Sequence, residues 1–145
     1  MTKHLTVKNI WALEGKNNTS LPLFAATVRA GFPSPADDFV EKKLDLTGYM
    51  IKNPAATFLV RVEGDSMTDA NIASGDILVV DRSKEAVDDT IVVACIDGEF
   101  TVKRIKIKGE KVLLIPENSE YNPIEITEEN DAEVWGVVTY IIHKT

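Results

Sequence analysis

At 145 residues, 44% of them hydrophobic and 27% charged, the chain has the size and balance of one soluble globular domain, long enough to bury roughly two-thirds of its unfolded surface. A net charge of −7 and a pI near 4.8 exclude the nucleic-acid backbone as principal partner, since nonspecific affinity for phosphate comes mostly from Lys and Arg; protein partners are expected, without direct sequence-specific DNA binding. No run reaches the roughly 18 apolar residues of a membrane span, residues 1–9 are too polar for a signal peptide, and the lone Cys95 permits neither an intrachain disulfide nor a cysteine-based metal site, so a cytoplasmic chain without a cofactor is expected.

Residues 1–30 show no sustained helical or strand period and carry only short apolar anchors, Ile10 to Leu13 and Leu21 to Phe24. Such an arm packs on something rather than folding alone. Beyond Pro33, Ser34 as N-cap, Pro35 at N1 and Asp37 at N3 predict a short helix running to about Leu44. From Thr57 onward the pattern is strands: Thr57 to Val62, Ile77 to Val80, Ile91 to Ile96, Glu99 to Ile107, Val112 to Ile115, Ile124 to Ile126 and Val134 to Ile142. These are β-branched runs separated by Gly, Asp, Asn and Pro turns, and Asp97-Gly98 is a hairpin signal joining two of them. Strands this short and regular predict a mainly β fold, a compact antiparallel barrel or folded sheet with one or two short helices and an extended N-terminal arm. Cys95 reads as a core residue and the acidic stretch 128–131 as a loop, while His4 and His143 resemble neither a ligand cluster nor part of a triad.

Two residues carry candidate chemistry. Gly64 ends the Thr57 strand, and Ser66 follows in Gly64-Asp65-Ser66-Met67, where a short helical turn would set it beside outward-pointing backbone N–H groups, as an oxyanion hole requires. Gly-Asp-Ser is also ordinary turn chemistry. Lys103 lies 37 residues on, so the two can meet only through tertiary structure. Serine with lysine is an alternative to the Ser-His-Asp arrangement, provided the lysine is neutral; at an ordinary pKa only about one molecule in 2,500 carries the free amine at pH 7. Burial lowers a lysine pKa by up to about 3–5 units. Period-two alternation puts Thr101, Lys103, Ile105 and Ile107 on one strand face and Phe100, Val102, Arg104, Lys106 and Lys108 on the other, leaving Lys103 the single cation on its side. The ordinary alternative is a strand lysine snorkelling to water.

From residue 21 to the C-terminus the chain resembles the LexA/UmuD family of self-cleaving serine-lysine peptidases, most closely the UmuD-type accessory subunits of error-prone DNA polymerases. The resemblance rests on Phe24 with Ala30-Gly31-Phe32-Pro33-Ser34-Pro35-Ala36, on Gly64-Asp65-Ser66-Met67, on Gly75 to Asp81, on Asp97 to Lys103 and on Leu114-Ile115-Pro116-Glu117-Asn118, in the family's order and with its Ser66 to Lys103 interval. Two places depart from it: Asp89-Thr90 stands where the family usually has Gly-Asp, which puts that loop's shape in question, and the residues before Leu21 do not match.

The resemblance implies a barrel like that of LexA and signal peptidase, with Ser66 as nucleophile, Lys103 as general base, Met67 near the oxyanion site and Ala30-Gly31 as the scissile bond. It divides the chain into residues 1–30, an arm removed by self-cleavage, and 31–145, the peptidase-type β domain. It implies a homodimer of the bacterial SOS response, cut when a RecA-type recombinase filament on single-stranded DNA stimulates it and then joined to a Y-family, UmuC-type translesion polymerase. Residues 1–30 cannot supply the helix-turn-helix of a repressor. The alternatives are a non-catalytic dimeric binding module for a polymerase on the same scaffold and a fragment of a LexA-like repressor.

Overall fold

The structure, a computed structural model, describes residues 6–12, 20–24, 40–64, 67, 70–117 and 122–145. The chain divides into two compact units, residues 14–52 and residues 1–13 with 53–145. The smaller unit holds the antiparallel pair β2 (Ser20–Phe24) and β3 (Val40–Asp45), followed by a five-residue helix, α1 (Leu46–Met50).

The larger unit is the antiparallel barrel. It comprises β1 (Thr6–Ala12), β4 (Thr57–Glu63), β5 (Ile77–Asp81), β6 (Ile91–Ile96), β7 (Glu99–Lys108), β8 (Lys111–Ile115), β9 (Ile124–Ile126) and β10 (Ala132–Ile142). The pairing order β1-β4-β5-β10-β6-β7 closes on itself where Thr6 of β1 faces Thr101 of β7, and β8 and β9 extend the sheet from the far half of β7. Closure removes the exposed edges that an open sheet of this size would present. The β6–β7 hairpin turns at Asp97-Gly98 with φ of 50° and 82°, the left-handed pair that a two-residue hairpin turn needs.

Period-two alternation sorts the core into two clusters. Phe58, Val60 and Val62 of β4, Leu78 and Val80 of β5, Val93 of β6 and Val102 of β7 pack together with Met67 and Ile72 from the β4–β5 connection. Val92 and Ala94 of β6, Ile105 of β7, Leu114 of β8 and Val137 of β10 form the second cluster. Val92 to Ala94 of β6 and Thr101 to Lys103 of β7 are therefore buried on both faces, while the far half of β7 keeps one face open to water.

All the strands predicted from Thr57 onward are present within two residues of their predicted ends. The helix predicted from Ser34 to Leu44 is not: residues 34–39 lie outside the described residues, and Val40–Asp45 is strand β3, paired with β2 from Ser20↔Asp45 to Phe24↔Val40. A cap and a proline set only local preference, and a partner strand that satisfies the backbone overrides it. Thr6–Ala12, for which no strand period was visible, is a full barrel strand paired along β4.

Candidate functional site

Ser66, Ala30 and Gly31 lie outside the described residues; the frame around Ser66 and the whole of the Lys103 strand lie within them. β4 ends at Gly64, whose φ of 106° is open to glycine and costly for other residues, and the chain returns to β5 through Gly75 and Asp76. The base of this connection is closed by backbone bonds, Gly75 N–H to Val62 O at 2.8 Å and Val62 N–H to Asp76 O at 3.0 Å. Met67 carries a turn of its own, since its carbonyl accepts the N–H groups of Ala70 at 3.0 Å and Ile72 at 3.3 Å. Its side chain is fully buried in the first core cluster, and its Sδ accepts the Glu117 N–H at 3.3 Å. The residue next to Ser66 is thus an anchor.

Lys103 sits midway along β7, directly opposite Val92 of β6, on the face that also bears Thr101 and Ile105. It is 1% exposed, the largest fully buried side chain among the described residues. At 1% exposure the side chain does not snorkel to water. Val92, Ala94 and Ile105 supply the apolar surroundings, and burial pulls the ammonium pKa down from 10.5 to about 8. At that value roughly one molecule in ten carries a free amine at pH 7. A cavity of about 210 Å³ adjoins it, lined by Thr6, Ile96, Asp97, Glu99, Phe100 and Ile124 with Thr101 and Lys103.

The basic residues on the other face are neutralised as well as solvated. Arg104 donates through Nε to Glu117 and through a terminal nitrogen to the Asp89 carbonyl at 2.7 Å, while Lys106 Nζ meets Asp89 Oδ1 at 2.5 Å. These contacts explain the departure at Asp89. Its φ is 72°, the left-handed geometry that suits glycine, and the carbonyl and carboxylate are both held by β7 cations. The loop keeps the turn, and ion pairs offset the strain of a side chain there.

His143, for which the sequence suggested no role, also supports the Ser66 frame. Its Nδ1 lies 2.6 Å from Oδ1 of Asp76, a carboxylate only 3% exposed whose other oxygen accepts the Ala73 N–H at 2.9 Å. The pair ties the end of β10 to the connection carrying Ser66. No local pattern announces it, because 67 residues separate the partners.

Residues 22–139 match the family model described as Peptidase S24-like. The chain is 48% identical to Protein SamA of Salmonella typhimurium over 127 residues, 88% of each chain. It is 44% identical to Protein MucA of Escherichia coli over 122 residues, 83% of each, and 45% identical to the LexA repressor of Shewanella piezotolerans over 106 residues, 73% of this chain and 50% of that one.

Proposed function

Because this chain belongs to the Peptidase S24-like family, we propose that it is a serine endopeptidase whose substrate is its own Ala30-Gly31 bond, with Ser66 as nucleophile and Lys103 as general base. The observation that carries this reading is the burial of Lys103 with its pKa near 8, since a strand lysine with no chemical role gains nothing from the cost of desolvation. The unprotonated Lys103 Nζ takes the Ser66 hydroxyl proton as Oγ attacks the Ala30 carbonyl carbon. Backbone N–H groups about Ser66 and Met67 hold the oxyanion, and Lys103 passes its proton to the Gly31 nitrogen as that amine leaves. Water, deprotonated by the same amine, then hydrolyses the Ala30 ester. A small Ala30 and an unbranched Gly31 allow the backbone to come close to Oγ.

The shortened chain, residues 31–145, would act as a homodimeric accessory subunit of a Y-family translesion polymerase in the SOS response, and a RecA-type filament would favour the conformer in which the junction reaches the site. Similarity to SamA and MucA across more than four-fifths of the chain supports this role over that of a repressor, since the LexA repressor of Shewanella piezotolerans is matched over half its length.

Intact-mass measurement during incubation at about pH 9 tests the chemistry. The products expected are residues 1–30 and 31–145, with Ser66→Ala and Lys103→Ala remaining whole and Gly31→Glu blocked by its side chain. Cutting by the Ser66→Ala protein would sink the assignment; an uncut wild type, with and without activated filament, would leave the scaffold as a binding module.

A further inference from the structure

β8 stops at Ile115, since Pro116 has no N–H to give a ladder, and the next backbone donor, the Glu117 N–H, goes to the Met67 Sδ at 3.3 Å. A thioether is a weak acceptor, so this bond alone holds neither partner. The side chain of Glu117 is what fixes the residue. Its carboxylate accepts from Arg104 Nε, and the two side chains are only 26% and 22% exposed, so salt screens the pair less than one on the open surface. Arg104 is fixed in its turn, with its backbone in β7 and a terminal nitrogen donating to the Asp89 carbonyl at 2.7 Å.

This chain of contacts ends beside the candidate nucleophile. Met67 is fully buried in the first core cluster and joins Ser66 through one peptide unit, which sets their Cα atoms about 3.8 Å apart. On β7 the candidate base and Arg104 are consecutive residues. Alternation therefore puts Lys103 on the face of Ile105, while Arg104 continues the face of Val102, which packs in the same cluster as Met67. One strand thus bears the base on one side and the anchor of the Ser66 segment on the other.

We propose that Arg104 and Glu117 are positioning residues for self-cleavage: their ion pair clamps residue 117 onto Met67 and through Met67 fixes Ser66 relative to Lys103, a role that rests on the self-cleavage reading above. Displacing a reacting group by about 1 Å is enough to cost about 10²-fold in rate. Releasing the clamp while Met67 keeps its apolar packing costs about tenfold.

The test follows the cut of the full-length protein by intact mass at about pH 7 and pH 9. Arg104→Met and Glu117→Ala each slow it about tenfold, and the double variant is no slower than the slower single one, because both act through one link. Glu117→Gln, which keeps an acceptor for Arg104 and is the gentler change should Glu117→Ala fail to fold, slows it about threefold. The slowing is the same at both pH values, because Lys103 keeps its apolar cover. Charge alone would act differently: removing a cation and removing an anion shift the Lys103 ammonium in opposite directions, so the two single variants would then move the pH 7 rate oppositely. A second readout needs no cleavage. Peroxide oxidation of Met67, mapped by peptide mass with the half-buried Met50 as internal reference, speeds up about threefold or more in Glu117→Ala. Arg104→Met cutting at the wild-type rate, single losses that multiply in the double variant, opposite effects of the two singles at pH 7, or Met67 oxidation unchanged in Glu117→Ala overturns the clamp while self-cleavage stands. A wild type that yields no 30/31 products overturns both, and is seen before any variant is made.

Discussion

Lys103 and Lys106 stand three residues apart on β7, and their surroundings drive them in opposite directions. Lys103 is 1% exposed against Val92 and Ile105, and burial brings its pKa down to about 8. Lys106, with a third of its side chain in water, is raised above 10.5 by its hydrogen bond to Asp89 and by the charges of Asp89 and Asp88. The strand is the same and the residue type is the same; the face decides which ammonium is weakened and which is held. What separates them is the second core cluster, which covers one side of β7 with apolar side chains while leaving the other within reach of the 88–89 turn.

Removing the base gives the largest effect. Lys103→Met lowers self-cleavage about 10³-fold or more in a mass-resolved time course, whereas Lys106→Met leaves the rate within about twofold. Next is the pH profile. If the free amine of Lys103 is the base, the rate climbs about tenfold per pH unit below 8 and levels off above it; a rate still climbing through pH 10 would place the base on a lysine whose pKa is not lowered.

Stability distinguishes the two residues by sign. The folded pKa of Lys103 lies below its unfolded value, so between about pH 8 and 10.5 the unfolded chain binds the extra proton and stability rises with pH. The cost is full below pH 8 and gone above 10.5. Lys103→Met therefore stabilises the protein by about 1–3 kcal/mol at pH 7, a gain that disappears by about pH 10.5 in urea titrations. Lys106 behaves inversely, since its folded pKa is raised: its contribution is present below 10.5 and is lost as pH rises beyond that. The smallest effect follows, with Lys106→Met lowering Tm by less than about 3 °C at pH 7 because exposed ion pairs contribute little.

Much of this contrast could be read from the residues in order. Alternation over 99–108 assigned the two lysines to opposite faces, and the Asp97-Gly98 turn located the hairpin, because a period of two and a left-handed turn are local matters decided within a few residues. The Gly64, Ser66 and Lys103 motifs marked a candidate site for the same reason: each is a short run with its own chemistry.

Other features depend on partners far away in the chain. That Lys103 is sealed from water, instead of snorkelling, requires Val92, Ile105 and their cluster to close over it, and nothing within ten residues of Lys103 reports how many layers cover a strand. Thr6–Ala12 lacks a strand signature of its own and becomes one by filling the gap between β4 and β7; Val40–Asp45 has helix signals before it and is a strand because β2 lies alongside. The Asp76–His143 contact and the ion pairs that let Asp89 occupy a glycine position likewise join residues 67 and 15–17 apart. Alternation and turn chemistry are properties of neighbours along the backbone, whereas desolvation and pairing belong to whatever the fold sets next to each residue, so the candidate base was legible early and its burial was not.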